Sequence, residues 1–309
     1  MIKVFGHKSP DTDTVCSAIA YAWYLKNKKN KDAEAFVQGE LNKETLLVLN
    51  KFKIEKPEFL DNITENDEVI VVDTNNPEEL PDNINYSNLI EVIDHHKLAG
   101  GLITPKPIKI TIRPIACTAT IIWQQMQSEN NTDIPDSIAG ILFSAIISDT
   151  LKFTSPTTTD QDKKAAVQLA KIAKIDIDKH TEEMFKAKSD LSGMSPKDIL
   201  LSDSKLFDMS SKKVLISVLE TTKPSNAMDI KGELEKTMGE IKKEQSLDVM
   251  FFFIIDILKS EATLIVPSKI EKEITEKAFE SSFKDGLMIL PKVVSRKKQI
   301  VPVVEKALK

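Results

Sequence analysis

Short apolar runs alternate with polar turns along the first part of the chain, and four of those runs lead to an acidic residue. Met1-Ile2-Lys3-Val4-Phe5 reads as a strand, the polar stretch Gly6-His7-Lys8-Ser9-Pro10-Asp11-Thr12-Asp13 follows, and Thr14 to Tyr21 carries a helical pattern. Val69-Ile70-Val71-Val72, rich in β-branched residues, stops at Asp73-Thr74-Asn75-Asn76-Pro77. Leu89-Ile90-Glu91-Val92-Ile93 stops at Asp94-His95-His96-Lys97. Ile138 to Ile147 is apolar nearly throughout and follows the start signal Pro135-Asp136-Ser137, so it reads as a buried helix running towards Asp149. Asp160 to Ile172 and Ile177 to Lys186 are amphipathic and helical. Strands alternating with helices through roughly the first 185 residues predict an α/β domain, a parallel sheet with helices on both faces.

Lys188-Ser189-Asp190-Leu191-Ser192-Gly193-Met194-Ser195-Pro196 is polar and punctuated by Gly and Pro, the one good linker in the chain. Beyond it, Lys213 to Glu220, Val249 to Ile255 and Ala262 to Val266 read as strands. A long charged helix, Ala227 to Glu244, lies between the first two. A second, smaller α/β domain is expected. The division is therefore residues 1–187 as one domain, 188–196 as linker or hinge and 197–309 as the second. A length of 309 residues fits two domains better than one.

Composition narrows the function classes. A formal net charge of −5 does not favour long nucleic-acid partners, whose binding leans on many Lys and Arg contacts. Cys16 and Cys117 make no disulfide framework, both lie in apolar contexts, and a reducing cytoplasm is the simple expectation. Met1 leads straight into a strand and a polar motif, unlike a signal peptide. The most apolar stretch, Val249 to Leu258, contains Asp256 and is about half the ~20 residues needed to cross a bilayer. It reads as a core strand, and no membrane partner is expected.

Three of the four histidines sit in the two clusters that hold His7, His95 and His96. Imidazole and carboxylate are the ligands of Mn, Fe, Co and Zn sites, and open α/β sheets place ligands at the carboxyl ends of their strands. A single Asp after a strand is usually a turn former or helix cap. Four acidic stops with three histidines among them fit a shared polynuclear metal centre better. Two divalent ions need about six to seven protein ligands, and His7, Asp11, Asp13, Asp73, His95 and Asp149 supply that number. Asp11 and Asp13 are two apart in what reads as an extended turn, so their side chains can diverge to different metals. Asp94 is expected to orient the neighbouring histidines. His180, in Asp178-Lys179-His180-Thr181-Glu182, reads as solvated surface.

These motifs carry a resemblance. With Gly6 to Asp13, Asp94-His95-His96-Lys97 and Ser144 to Thr150 in the first half, and Asp203-Ser204-Lys205-Leu206-Phe207 and Ser295-Arg296-Lys297-Lys298-Gln299 in the second, the chain resembles the family II inorganic pyrophosphatases. These are the manganese-dependent branch of the DHH phosphoesterase superfamily. The Asp-His-His triplet marks the superfamily, and the last two motifs point to the pyrophosphatase branch. Two places depart from the usual pattern: Thr74-Asn75-Asn76 stands where many members have His-Asn-Glu, and Gly100-Gly101 where an aromatic-containing loop is common.

The resemblance implies a DHH domain followed by a DHHA2-like domain and hydrolysis of pyrophosphate to two phosphates. It places His7, Asp11 and Asp73 on one Mn²⁺ and Asp13, His95 and Asp149 on a second, with Asp73 bridging and a hydroxide shared by the metals as nucleophile. Co²⁺ is expected to substitute, and further Mg²⁺ or Mn²⁺ to arrive with substrate. His96 is expected to face the substrate as a catalytic hydrogen-bond or proton donor. Lys205, Arg296 and Lys297 are expected to clamp it, closing over the first domain about the linker, and a cytoplasmic homodimer is implied. By composition alone the Lys/Arg run would be a solvated face, and Lys298 is read as surface. The rival readings are a short-chain exopolyphosphatase, a DHH-type phosphodiesterase acting on oligonucleotides or cyclic dinucleotides, and a metal-binding regulator without catalysis. The phosphodiesterase relatives usually end in a different domain with a glycine- and histidine-rich substrate loop, whereas this chain has no histidine after His180 and a glycine-poor C-terminal half.

Overall fold

The computed structural model describes every residue, Met1–Lys309, and divides into two compact units, Met1–Ala187 and Lys188–Lys309. The first unit runs β1 (Ile2–Phe5), α1 (Thr12–Lys28), β2 (Ala33–Val37), α2 (Lys43–Phe52), β3 (Glu58–Phe59), β4 (Glu68–Val72), β5 (Asn88–Asp94), β6 (Lys109–Ile112), α3 (Thr118–Ser128), α4 (Asp136–Thr150), α5 (Asp160–Ala173) and α6 (Ile177–Lys188). Its six strands lie in the order β3-β2-β1-β4-β5-β6, all pairs parallel. Chain order reverses between β1 and β4, and such a switch point opens a crevice at the carboxyl ends of the strands. The continuous apolar run of β4 follows from burial on both faces. Phe5, Val69, Val71 and Val92 pack against Leu60, Ile63, Leu80 and Ile84, the last two beside short 3-10 turns at Pro77–Glu79 and Ile84–Tyr86. On the helical side α1 lies against β1, β2 and β4, and α3 against β5.

Helix α4 is the buried axis of this unit and packs on α1, α2, α3 and α5. Its approach to α2 is set by Gly140, where a Cβ would stand 2.2 Å from the Phe52 ring. At the end of β1 a Cβ on Gly6 would meet the Val72 carbonyl at 2.7 Å. Only glycine lets the chain turn out of β1 that close to β4.

In the second unit the order is α7 (Pro196–Leu201), β7 (Ser204–Met209), β8 (Lys212–Thr221), α8 (Ser225–Met228), α9 (Lys231–Glu244), β9 (Val249–Asp256), β10 (Glu261–Ile265), α10 (Lys269–Phe279), β11 (Met288–Pro291), a π-helical turn (Arg296–Ile300) and α11 (Val301–Leu308). The sheet runs β11-β10-β9-β8-β7, mixed, with β8 and β9 parallel and every other pair antiparallel. Every residue of β9 is buried because both faces are covered. Met250, Phe252 and Ile254 pack with Leu234, Met238 and Ile241 of α9, while Phe253 meets the Phe279 ring of α10.

The expected helix from Ala227 to Glu244 is broken. Ala227, Met228 and Ile230 turn in to the core, and regular α9 starts only at Lys231. Within the polar stretch after α6, Ser189 Oγ accepts from Thr222 N at 2.7 Å, Leu191 and Met194 pack on the second unit's core, and Ser195 opens α7 with a capping box.

Candidate metal centre

The ends of β1, β4 and β5, the start of α1 and the end of α4 converge. Three overlapping groups have ligand atoms within 4.8 Å of one another: His7, Asp11 and Asp73; Asp13, His95 and Asp149; and Asp73, His95 and His96. Asp73 stands between the first two. Its Oδ2 is 3.4 Å from His7 Nε2 and its Oδ1 is 3.3 Å from His95 Nε2. His7 Nε2 lies 3.5 Å from Asp11 Oδ2, and His95 Nε2 lies 3.8 Å from Asp149 Oδ2. These separations are long for hydrogen bonds. Neighbouring ligands on one cation with bonds of roughly 2.1 Å stand about 3.0–3.4 Å apart, so the spacing and the O/N donor set fit divalent metal.

Asp73 is held in this position from several sides. Its N–H donates to Ile93 O at 2.8 Å, continuing the ladder to β5, and its φ then turns to +61°, where a side-chain-bearing residue is strained. Thr14 Oγ1 donates to Oδ2 at 2.6 Å and Thr118 Oγ1 to Oδ1 at 3.1 Å, both buried. One carboxylate thus presents an oxygen to each group and has a hydroxyl fixing each oxygen.

Asp11 and Asp13 do not share an extended turn, contrary to the sequence reading. Helix α1 begins at Thr12, so Asp11 is its N-cap and Asp13 lies in its first turn. Asp11 does two things at once: Oδ1 accepts from Thr14 N at 2.9 Å and Oδ2 faces His7. Asp13 is wholly buried, and both its oxygens take N–H groups from the start of α3: Thr118 N at 2.6 Å and Ala119 N at 3.0 Å. Cys117 offers that helix no side-chain cap, and Asp13 supplies the missing anion at its N-terminus.

His95 Nδ1 lies 3.1 Å from the Ile115 carbonyl, which fixes Nδ1 as the protonated nitrogen and turns the Nε2 lone pair towards Asp73 and Asp149. Asp94 is buried beneath the two histidines. Its Oδ1 accepts from His95 N at 2.7 Å, His96 N at 3.0 Å and His96 Nδ1 at 2.9 Å. Burial opposes its charge, but the His96 hydrogen bond prevails and holds its pKa at about 2. Asn75, in the segment that departs from the family pattern, donates to Asp94 Oδ2 and to Lys97 O, and accepts from Ala99 N at 2.7 Å.

The electrostatics are those of a crowded anion cluster. Burial and then the Asp73 charge lift Asp13 to about 7; burial and then Asp13 lift Asp149 well above the carboxylate range. Burial alone would lower His7, yet Asp11 and Asp73 outweigh it and raise its pKa to about 10. Buried carboxylates at such proximity call for cations.

Three residues that fix this geometry carried no signal in the sequence. They are Thr14, Thr118 and Glu44, whose Oε2 accepts from Thr12 Oγ1 at 2.9 Å and Ser148 Oγ at 2.7 Å. Glu44 thereby ties the start of α1 to the turn of α4 that carries Asp149. The reading of His180 as solvated surface is overturned. His180 is 1% exposed, with Ser144 Oγ 2.8 Å from Nε2, Lys51 Nζ 2.7 Å from Nδ1, and the rings of Phe52 and Phe143 beside it.

In the second unit Arg296 and Lys297 open the π-helical turn, with Lys298 exposed beside them, and Lys205 lies on β7. The Arg296 guanidinium binds the Asp203 carboxylate at 2.7 Å, two residues before Lys205.

Comparison with known proteins adds the following. Residues 1–146 match the model of the DHH family N-terminal domain and residues 182–307 that of the DHHA2 domain. A Bacillus cereus protein described as a probable manganese-dependent inorganic pyrophosphatase is 42% identical over 99% of this chain and 98% of its own length. The crystal structure of a Methanococcus jannaschii protein assigned to the family II inorganic pyrophosphatases superposes with a TM-score of 0.87 at 37% identity, covering 100% of this chain and 99% of that one. An exopolyphosphatase-related protein from Bacteroides fragilis shares the fold at a TM-score of 0.53 and 17% identity, over 99% of this chain and 91% of its own. No helix is long and apolar enough to cross a membrane.

Proposed function

The chain belongs to the manganese-dependent, family II inorganic pyrophosphatases, and from that premise we propose that it hydrolyses inorganic pyrophosphate to two phosphates at the cluster around Asp73. His7, Asp11 and Asp73 would hold one Mn²⁺ and Asp13, His95 and Asp149 the other, with Asp73 shared. The observation that carries this reading is the split of Asp73, one oxygen towards each histidine, 3.4 and 3.3 Å away. Bound divalent cations supply positive charge to phosphoryl oxygens and lower the pKa of water beside them.

The chain's own groups do the rest. Thr14 and Thr118 hold the shared carboxylate in place before substrate arrives. Asp94, by engaging His96 at Nδ1, fixes the ring so that it can donate to a phosphate oxygen or to the leaving group. Lys205, Arg296 and Lys297 bind the anion, Arg296 through its planar fork and the lysines as point charges. A substrate with two phosphoryl groups and nothing more lets each group meet charge, which favours pyrophosphate over longer chains and nucleotides.

Phosphate release from pyrophosphate, tripolyphosphate and a dinucleotide, measured side by side with Mn²⁺, tests the proposal. Pyrophosphate should lead in kcat/KM by about two orders of magnitude or more. A better rate on tripolyphosphate or the dinucleotide would make the chain an exopolyphosphatase or phosphodiesterase.

A further inference from the structure

Two residues of the second unit's polar motifs, Asp203 and Gln299, have no part in the reaction as described above; Asp203 bonds the Arg296 side chain and Gln299 the backbone of the turn that carries it. Gln299 Oε1 accepts from Val294 N at 2.9 Å and Ser295 N at 3.0 Å, while its Nε2 donates to Lys292 O at 2.6 Å. A neutral amide of that length accepts twice and donates at once without needing a proton, as a carboxyl would. Its bonds close the loop from Lys292, which sits at φ +62°, round to Gln299 itself. The turn inside that loop is wide: the Ser295 carbonyl accepts from both Gln299 N at 2.9 Å and Ile300 N at 3.1 Å, a π-helical step. Ser295 Oγ also accepts from Lys298 N at 3.2 Å. The backbone of Arg296 and Lys297 is therefore bracketed on both sides by bonds that depend on Gln299 and Ser295.

The side chain of Arg296 is fixed from the other direction. Its NH1 donates to Asp203 O at 3.0 Å and its NH2 to Asp203 Oδ1 at 2.7 Å. Asp203 is not itself adrift, because its carbonyl also accepts from Val218 N of β8 at 2.9 Å. The pair does not look like a device for stability. The Asp203 side chain is 52% exposed, and ion pairs at such exposed positions contribute little to stability. Arg296, by contrast, is 16% exposed, so a long and flexible side chain has been put in one place. Two of its five N–H donors are used by Asp203.

We infer that Asp203 and Gln299 are positioning residues for pyrophosphate binding: they order the Arg296 guanidinium, Gln299 through the backbone turn and Asp203 through the fork, before the anion arrives. The inference rests on the proposed role of Arg296 as an anion clamp. It explains why an acid stands beside a phosphate-binding arginine, where charge alone would disfavour it. Ordering a guanidinium in advance removes a side-chain entropy cost that substrate binding would otherwise carry.

The test is steady-state pyrophosphate hydrolysis by the full-length Mn²⁺-loaded protein, with manganese content and thermal midpoint measured for each variant. Asp203→Ala should raise KM about tenfold with little change in kcat, and Asp203→Asn, which keeps the acceptor oxygen, should recover most of that loss. Gln299→Met should behave like Asp203→Ala, and Gln299→Glu, which keeps both acceptor bonds but loses the donor, should fall between. In an Arg296→Lys background, Asp203→Ala should add less than about twofold, because its target is gone. Full additivity there would overturn the inference and leave the clamp standing, as would a lowered KM in Asp203→Ala, which would make the carboxylate a competitor of substrate. A silent Arg296→Lys would overturn the clamp itself and the inference with it.

Discussion

The two units solve opposite problems with charge. In the first, anions are gathered: Asp13 and Asp73 are buried with His7 and His95 close by, and the cluster is tied together by hydroxyls of α1 and by the start of α3. In the second, Lys205 lies on an edge strand and Arg296 and Lys297 in a terminal turn, each at least partly exposed, and the turn is ordered by local bonds around Ser295 and Gln299. Anions meant for a cation can be buried, because the cation later offsets the desolvation. On the function proposed above, cations that meet a departing substrate would stay at least partly in reach of water, Arg296 being the most covered at 16% side-chain exposure. On that reading the buried Asp13 and Asp73 would await a resident partner and the more exposed Lys205 and Lys297 a visiting one, with Asp11, half exposed, at the rim of the cluster.

The widest test of that contrast is Asp73→Ala. If the shared carboxylate holds both metals, manganese measured by elemental analysis should fall at both sites and pyrophosphate hydrolysis should drop by about three orders of magnitude or more. Two manganese ions retained per chain would break the bridging assignment, and with it the account of why so many groups converge on this one residue. His7→Ala should weaken mainly one of the two sites.

A smaller effect is expected on the exposed side. Arg296→Lys keeps the charge and loses the bidentate fork, so kcat/KM should fall by roughly ten- to a hundredfold while manganese content is unchanged. Lys298→Ala, two positions on and exposed, should be nearly silent. Equal and mild effects of both changes would mean that the run is a solvated face, and the contrast between the units would lose its second half.

Much of the first unit was legible because its signals are rare residue types at strand ends. Histidine is scarce in this chain, and β4 and β5 are apolar enough to be read as strands with no knowledge of their neighbours. What stayed hidden is what long-range contact creates. Thr14 and Thr118 matter only because the fold brings them to a carboxylate 59 and 45 positions away. Nothing local distinguishes those threonines from others. Asp13 looked like a turn residue because its cap is given to α3 rather than to its own helix. In the second unit β9 was legible through burial on both faces, whereas β7 lies at the sheet edge with mostly part-exposed or exposed residues, and its polar sequence hid it. His180 misled because its charged sequence neighbours are the exposed face of α6; its buried face carries His180 and Thr181 with Met184 and Phe185.

His180 also gives the smallest and sharpest test, since it is a buried titratable group in the first unit that touches none of the metal-ligand candidates. Ser144 Oγ donates to Gly140 O, so His180 Nε2 must donate to Ser144, and Nδ1 accepts from the Lys51 ammonium, itself 2.6 Å from Glu183. A second proton would put two cations face to face. Burial first and Lys51 second accordingly push its pKa down from 6.5 to about 4. Between those values the unfolded chain binds a proton that the folded one refuses, so the His180 contribution favours folding above pH 6.5 and is lost progressively as pH falls towards 4. The full swing is roughly 3 kcal/mol. His180→Gln can donate to Ser144 and accept from Lys51 without titrating. Urea unfolding of the metal-free protein from pH 7 to 4.5 should therefore show a shallower loss of stability in the variant, with pyrophosphate hydrolysis at pH 7.5 within about twofold of the parent. Parallel stability curves would show that the imidazole keeps an ordinary pKa in its pocket. A large loss of activity at neutral pH would tie this buried group to the metal cluster after all.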